Sequence, residues 1–272
     1  MPQTLSQIKS LLTAHGLRPK HRLGQNFLHD HNQMSKILAA AELTPGERVL
    51  EVGAGTGALS EQLLDRGAEL VAVEIDADLE PILRHVLAPY GNRAQLIVGD
   101  VLANKHALNP QIFERLGDQP FKLVANLPYQ IASPLLMNLL IDHPQMTLAV
   151  VMVQREVADR LTAGPGGKDY GPLGVMAQAM CHVERIATLP PSCFWPRPQV
   201  NSAVVRLRRR DEPLTDDPHQ LARALRRLFA HRRKQLGTVL GRQTPLPEGV
   251  DPRARPETLS VEQIIALARQ LG

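Results

Sequence analysis

The sequence predicts an α/β protein: a Rossmann-like doubly wound sheet followed by a small all-α C-terminal region. Three observations predict it. Short apolar runs alternate with segments of helical spacing from residue 48 to about residue 210. The first run ends in a glycine-rich loop, "LEVGAGTGALS" at 50–60, that opens onto a helix. After Arg210 the strand-like runs stop, and "DDPHQLARALRRLFAHRRKQLGTVLG" and "PETLSVEQIIALARQLG" carry only helical periodicity. A boundary near residue 210 is therefore expected, with residues 1–210 as one domain and 211–272 as a second.

Before residue 45 the chain reads as a helical extension containing "RLGQNFLHD". Strand "RVLEVGAG" (48–55) closes on glycines, and helix "ALSEQLLDRG" (58–67) stops at Gly67. Strand "ELVAVEID" (69–76) precedes a helix over 77–91, where Pro81 sits in the first turn and its missing N–H is tolerated. Strands follow at 94–100 and 121–128. "SPLLMNLLIDHP" (133–144) is a helix with Ser133 as N-cap and Pro134 at the first position. "LAVVMVQREV" (148–157) begins as a strand and turns amphipathic at "QREVADRL". "VERIATLP" and "NSAVVRLRR" are two late strands around a proline-rich bend. The alternation implies a parallel sheet covered by helices on both faces.

A chain of 272 residues that is 43% hydrophobic can bury the core of one large domain, or of one domain with an appendage. Its net charge of +4 matters only if the bases cluster. Cys181 and Cys193 fit neither zinc spacing nor a disulfide framework, so free buried thiols in a reducing compartment are expected. No apolar run approaches the roughly 20 residues that span a bilayer, and no secretory leader is evident. The expectation is a soluble, cytoplasmic protein with no membrane contact. The histidines form no HExxH-like pattern, so no metal site is expected; His29 and His31 read as a helix-entry turn. "GPGGKDYG" (164–171) resembles a phosphate loop but lacks its earlier glycine, and Lys168 is followed by Asp169.

Gly53, Gly55 and Gly57 allow a tight turn and close approach of a ligand to the backbone. Gly53-x-Gly55-x-x-Ala58 satisfies a dinucleotide fingerprint, and Glu74 lies about twenty residues on, where an acid can hold a ribose hydroxyl pair. This loop alone does not separate NAD from S-adenosylmethionine. Two acids tilt the choice to the latter. Glu51, just before the glycines, would sit badly against a pyrophosphate but suits a cationic amino-acid tail. Asp100, ending the third strand, can accept a hydrogen bond from an adenine amino group.

The fourth strand ends in Asn126-Leu127-Pro128-Tyr129. In a doubly wound sheet that end lies beside the glycine loop. An exocyclic amine is a poor nucleophile because its lone pair is delocalised into the ring. The Asn126 side-chain oxygen and the Leu127 carbonyl, held by Pro128, are suitable acceptors to draw such a nitrogen toward tetrahedral geometry. Tyr129 offers a face on which a flipped base stacks. The alkylated amine sheds its own proton, so this chemistry needs no metal and no strong base.

With those residues in view, the chain resembles the small-subunit ribosomal RNA adenine-N6 dimethyltransferases, the family linked to kasugamycin sensitivity. "GQNFL" (24–28), "LEVGAGTGALS" (50–60), "VEID" (73–76), "GD" (99–100), "NLPYQIASPLL" (126–136), "QREVADRL" (154–161) and "FWPRPQVNSAVV" (194–205) match in order over nearly the whole length. The resemblance implies two methyl transfers to each of two adjacent adenosines in a hairpin near the 3′ end of 16S rRNA. The small ribosomal subunit would be the partner, during ribosome assembly. It implies that Asn26 and Leu28 close over the cofactor. It also gives Gly53, Glu74 and Asp100 cofactor roles, and places Asn126 to Tyr129 and Phe194 against the target base. A monomer is expected. One departure is Gly174, where the family usually has Ser; a local contact on the RNA side is expected to differ.

"ARALRRLFAHRRKQLG" carries Arg223, Arg226, Arg227, Arg232, Arg233 and Lys234 within about three turns, with Leu221, Leu225, Leu228, Phe229 and Leu236 facing inward. Read as one basic helix, it is a phosphate track, with Arg226, Arg233 and Lys234 on rRNA backbone. "GPGGKDYG" is expected to be a mobile loop near that RNA. Rival readings are the related large-subunit methyltransferase of macrolide resistance, a non-catalytic RNA-binding factor on the same scaffold, and, more distantly, an NAD-dependent dehydrogenase.

Overall fold

The computed structural model describes residues 3–104, 107–241 and 243–271. Its strands are β1 (Phe27–Leu28), β2 (Arg48–Val52), β3 (Glu69–Glu74), β4 (Ala94–Val98), β5 (Leu102–Asn104), β6 (Ala107–Leu108), β7 (Phe121–Asn126), β8 (Met146–Gln154), β9 (Cys181–Leu189), β10 (Phe194–Trp195) and β11 (Ser202–Arg209). The helices are α1 (Leu5–Ala14), α2 (His31–Ala41), α3 (Ala58–Asp65), α4 (Glu80–Leu87), α5 (Pro110–Leu116), α6 (Ala132–Asp142), α7 (Arg155–Thr162), α8 (Pro172–Met180), α9 (Pro218–Phe229), α10 (Leu236–Leu240) and α11 (Val261–Leu271).

Seven strands form the main sheet in the order β4-β3-β2-β7-β8-β11-β9. The first five run parallel. The expected all-parallel sheet is corrected at one edge, where β11 is antiparallel to both β8 and β9. The reason is local: the proline-rich bend joins β9 to β11 with no crossover helix, so the chain returns beside itself. Side chains alternate between two apolar layers. Ala149, Val151 and Val153 of β8 enter one; Leu148, Val150 and Met152 enter the other. The second layer takes α1 to α4. The first takes α5 to α8 and also Leu221, Leu225, Leu228 and Ile264 of the C-terminal helices, so apolar packing is continuous across residue 210.

Several local expectations are corrected. Ser133 is not an N-cap: α6 starts at Ala132, because the Ile131 N–H already turns back onto the Pro128 carbonyl at 3.1 Å. The helix over 77–91 is three pieces, with a kink at Gly91. The basic helix ends at Phe229, and residues 230–235 form a turn. Loop 164–171 is packed against the C-terminal region. The Gly166 N–H donates to the Glu257 carbonyl, Arg232 donates to the Lys168 carbonyl, and Tyr170 is fully buried against Phe229. Gly174 is an interior residue. A Cβ there would lie 2.2 Å from the Arg160 carbonyl oxygen, so its missing side chain lets α8 close on α7. Both cysteines are free and buried. Among the described residues, no helix is long and apolar enough to cross a membrane.

Candidate active site

A crevice of about 620 Å³ opens at the carboxyl ends of β2, β3 and β7, where open α/β sheets bind ligands. Its floor is the glycine loop. Gly53 has φ +77°, and its N–H donates to the Val73 carbonyl at 2.8 Å. A Cβ at Gly53 would come within 3.2 Å of the Pro128 ring, so the β2 loop and the β7 turn meet where only glycine fits.

Two buried acids stand behind the loop. Glu74 accepts the Gly55 N–H at 2.8 Å on one oxygen and the Asp76 N–H at 2.9 Å on the other, so the carboxylate ties the β2 and β3 loops together. Burial pushes its pKa up. Glu51 is almost fully enclosed and accepts from Ser60 Oγ at 2.5 Å. Burial, reinforced by the nearby Glu74 charge, raises the Glu51 carboxyl to about 8 against the hydrogen bond from Ser60, so it is mostly protonated at neutral pH. Asp100 is exposed at the rim and accepts the Leu102 N–H at 2.9 Å.

The opposite wall is the β7 turn. The Leu127 side chain is buried, and its N–H donates to the Met152 carbonyl at 3.0 Å, which fixes the peptide. Asn126 is half-buried, and its Nδ2 donates to the Asn26 carbonyl at 3.0 Å. The amide is planar, so Oδ1 is directed away from Asn26. The Tyr129 hydroxyl shares a hydrogen bond with Ser202 Oγ at 2.8 Å, and burial raises its pKa.

A segment of the N-terminal extension forms the cover. β1 pairs antiparallel with β10, placing Phe27 opposite Trp195 and Leu28 opposite Phe194. Asn26 and Leu28 both line the crevice. Phe194 is not among the lining residues. Its side chain is buried in the apolar layer that also holds Leu28, its direct partner across β1 and β10, and Pro196 to Val200 line the mouth. Arg226, Arg233 and Lys234 are exposed and do not line the crevice; the last two lie on the turn after α9.

Four residues escaped the sequence reading. The Phe27 ring stacks near Trp195, with centroids 6.4 Å apart, and presses on the Gly55 face of the loop. Ile75 and Val200 are exposed apolar residues, 47% and 44% accessible, and both line the crevice. Ser60 reaches Glu51 only because α3 doubles back over β2. Nothing in spacing signals that pair. An apolar residue directly after the Glu74 acid was a readable signal for Ile75. Among the described residues, no three His, Cys, Asp or Glu side chains gather as metal ligands.

Solved structures share this fold. A dimethyladenosine transferase from Plasmodium falciparum matches with a TM-score of 0.74 over 89% of this chain and 95% of that one, at 23% identity. The 23S rRNA methyltransferase ErmE matches with a TM-score of 0.68 over 90% and 99%, at 29% identity. Fold and crevice together define a methyltransferase of the doubly wound class. Sequence similarity narrows this. Residues 16–271 match the family model described as ribosomal RNA adenine dimethylase. A Ribosomal RNA small subunit methyltransferase A from Geobacillus kaustophilus is 40% identical over 99% of this chain and 96% of its own. The protein of the same name from Bacillus cytotoxicus is 40% identical over 98% and 96%. The chain belongs to the ribosomal RNA adenine dimethylase family.

Proposed function

We propose that this chain transfers methyl groups from S-adenosylmethionine to N6 of two adjacent adenosines in the 3′-terminal hairpin of 16S rRNA, giving N6,N6-dimethyladenosine during ribosome assembly. The observation that carries the reading is the orientation of the Asn126 amide. Its nitrogen is held by the Asn26 carbonyl, which leaves the oxygen as the acceptor for an amine hydrogen. The Leu127 carbonyl takes the second hydrogen, and the Tyr129 ring supports the base, a stack worth roughly 1–3 kcal/mol. Phe194 packs in the same apolar layer as Leu28, its partner across β1 and β10.

The residues present fit the proposed donor. Buried Glu51 needs a cation to favour its ionised form, and the donor's ammonium is one. Each Glu74 oxygen, already holding one backbone N–H, keeps lone-pair capacity for a ribose hydroxyl. Asp100 takes the adenine amino group, Gly53 and Gly55 admit the ligand close to the backbone, and Asn26 and Leu28 cover it. When bound, S-adenosylmethionine supplies an electrophilic methyl group on a sulfonium. The remaining assignments are a monomer in the cytoplasm, with residues 1–210 performing transfer and 211–272 holding RNA through Arg226, Arg233 and Lys234.

Small-subunit substrate is favoured over large by the identity to the relatives named for the small subunit, which extends over nearly the full chain. Radiolabelled methyl transfer to unmethylated small subunits, mature small subunits and large-subunit RNA tests it. Label is expected in the first alone. Label only in large-subunit RNA would replace this reading with the resistance enzyme, and binding without label would replace it with an assembly factor.

A further inference from the structure

The cover over the crevice is tied down by a group of side chains that the proposed chemistry does not use. Lys20 Nζ lies 2.5 Å from Asp76 Oδ1 and 2.5 Å from Asp78 Oδ2. Gln25 Nε2 donates to the other Asp76 oxygen at 2.7 Å, and Gln25 Oε1 accepts the Lys20 backbone N–H at 2.7 Å. Asp76 is 5% exposed and Lys20 26%, whereas Asp78 is 57% exposed. Asp76 is thus the fixed post of the group and Asp78 a peripheral one. Burial works against the Asp76 charge, but the hydrogen bonds from Lys20 and Gln25 outweigh it and hold that carboxyl below its usual range.

These contacts close a circuit around the crevice. The Gly55 and Asp76 N–H groups meet on Glu74. Asp76 then holds Gln25. The next residue, Asn26, presents its carbonyl to Asn126. The glycine loop, the second-strand acid, the cover and the reacting wall are therefore linked through one side chain, Asp76, that Lys20 neutralises. Without the ammonium, Asp76 and Asp78 would face each other as like charges, and Gln25 would lose its fixed acceptor.

We propose that Lys20, Gln25 and Asp76 form a latch that holds residues 24–28 over the crevice and so keeps the Asn126 amide oxygen turned toward the substrate. They are positioning residues. None of them needs to touch the base. The inference rests on the proposed methyl transfer for its binding and kinetic arms; its exchange arm stands without it.

The test uses full-length wild type, Lys20→Ala, Lys20→Arg and Asp78→Asn. In the cofactor-free chain, Lys20→Ala is expected to speed amide hydrogen exchange at residues 24–28 by about tenfold or more, with core strands unchanged. S-adenosylhomocysteine binding, followed by Trp195 fluorescence (Trp195 is the single tryptophan), is expected to weaken about tenfold. At saturating methyl donor, kcat is expected to fall while KM for the RNA holds. Lys20→Arg restores most of each property, and Asp78→Asn moves each by less than about threefold because Asp76 stays held. Wild-type exchange and affinity in Lys20→Ala would overturn the latch. So would loss of exchange protection across the whole sheet, which marks a general stability role. If wild type itself methylated no rRNA and bound no S-adenosylhomocysteine, the functional reading would fall while the exchange arm still decided the latch.

Discussion

The Asn126 amide nitrogen reaches the backbone carbonyl of Asn26 across 3.0 Å, a pair one hundred residues apart in sequence. The hydrogen bond fixes which end of the amide faces the crevice. Only Nδ2 can donate to a carbonyl, so Oδ1 is left as the outward acceptor. A wall residue and a cover residue are thus held together, and the amide oxygen is left facing the crevice.

Asn126→Ala should lower kcat by about 10²- to 10³-fold, the usual effect of removing one positioned polar group. Asn126→Asp should be no milder. A carboxylate accepts but cannot donate to Asn26, so nothing aims it at the substrate. Methyl transfer to unmethylated small subunits under single-turnover conditions reads both variants.

If the crevice holds the proposed donor, Glu51 gives its binding a pH dependence. Its folded-state pKa of about 8 lies above the ordinary value of 4.5, so its contribution to stability in the free protein is full below 4.5. That contribution is lost as pH rises through about 8. A bound cation favours the ionised form, so affinity for S-adenosylhomocysteine should strengthen from pH 6 toward pH 8, with proton release on binding. Calorimetry in buffers of different ionisation enthalpy measures that release. Glu51→Gln should abolish it and flatten the pH profile.

The basic turn separates into two kinds of cation. Arg226, Arg233 and Lys234 are exposed and pair with no acid among the described residues, whereas Arg232 is held by Glu257 at 2.7 Å and by the Lys168 carbonyl. Replacing the first three with Ala should weaken RNA binding and reduce the slope of log K against log salt by about 0.7–0.9 for each phosphate no longer neutralised. Arg232→Ala should instead lower thermal stability by about 1 kcal/mol or less, since the pair is partly solvated. Equal salt slopes for wild type and the triple variant would remove the RNA assignment.

Gly174→Ser should destabilise this chain by roughly 1–3 kcal/mol, the range for overpacking a filled interior. A side chain there meets the Arg160 carbonyl, a backbone atom that moves only if α7 shifts with it. Urea unfolding checks the prediction, and an unchanged midpoint would show that the two helices separate freely.

The alternation of apolar runs, the glycine loop, the three acids and the Asn-Leu-Pro-Tyr turn were all legible in order along the chain. Each depends on a short stretch of backbone. Period-two patterning sorted β8 between two layers, and a strand followed by glycines defines a ligand-facing loop without reference to distant residues. The two late strands were legible too, but not their direction, since antiparallel pairing depends on how the chain returns. The start of α6 also escaped, because the Pro128 carbonyl competed with Ser133 for the role of starting the turn. The burial of Phe194 was not legible either, because it depends on the pairing of β10 with β1, two short strands from distant parts of the chain.

By itself, then, the amino-acid order determined the doubly wound class, the crevice end of the sheet and most of the groups that stand there, since these follow from local periodicity and turn chemistry. Tertiary structure alone decided the surroundings of those groups: that burial raises the Glu51 carboxyl to about 8, that Asn126 points its oxygen outward, and that Lys20 ties the cover to the loop after β3. Each of those properties comes from desolvation or from a hydrogen bond between segments far apart in the chain, and neither exists until the chain has closed on itself.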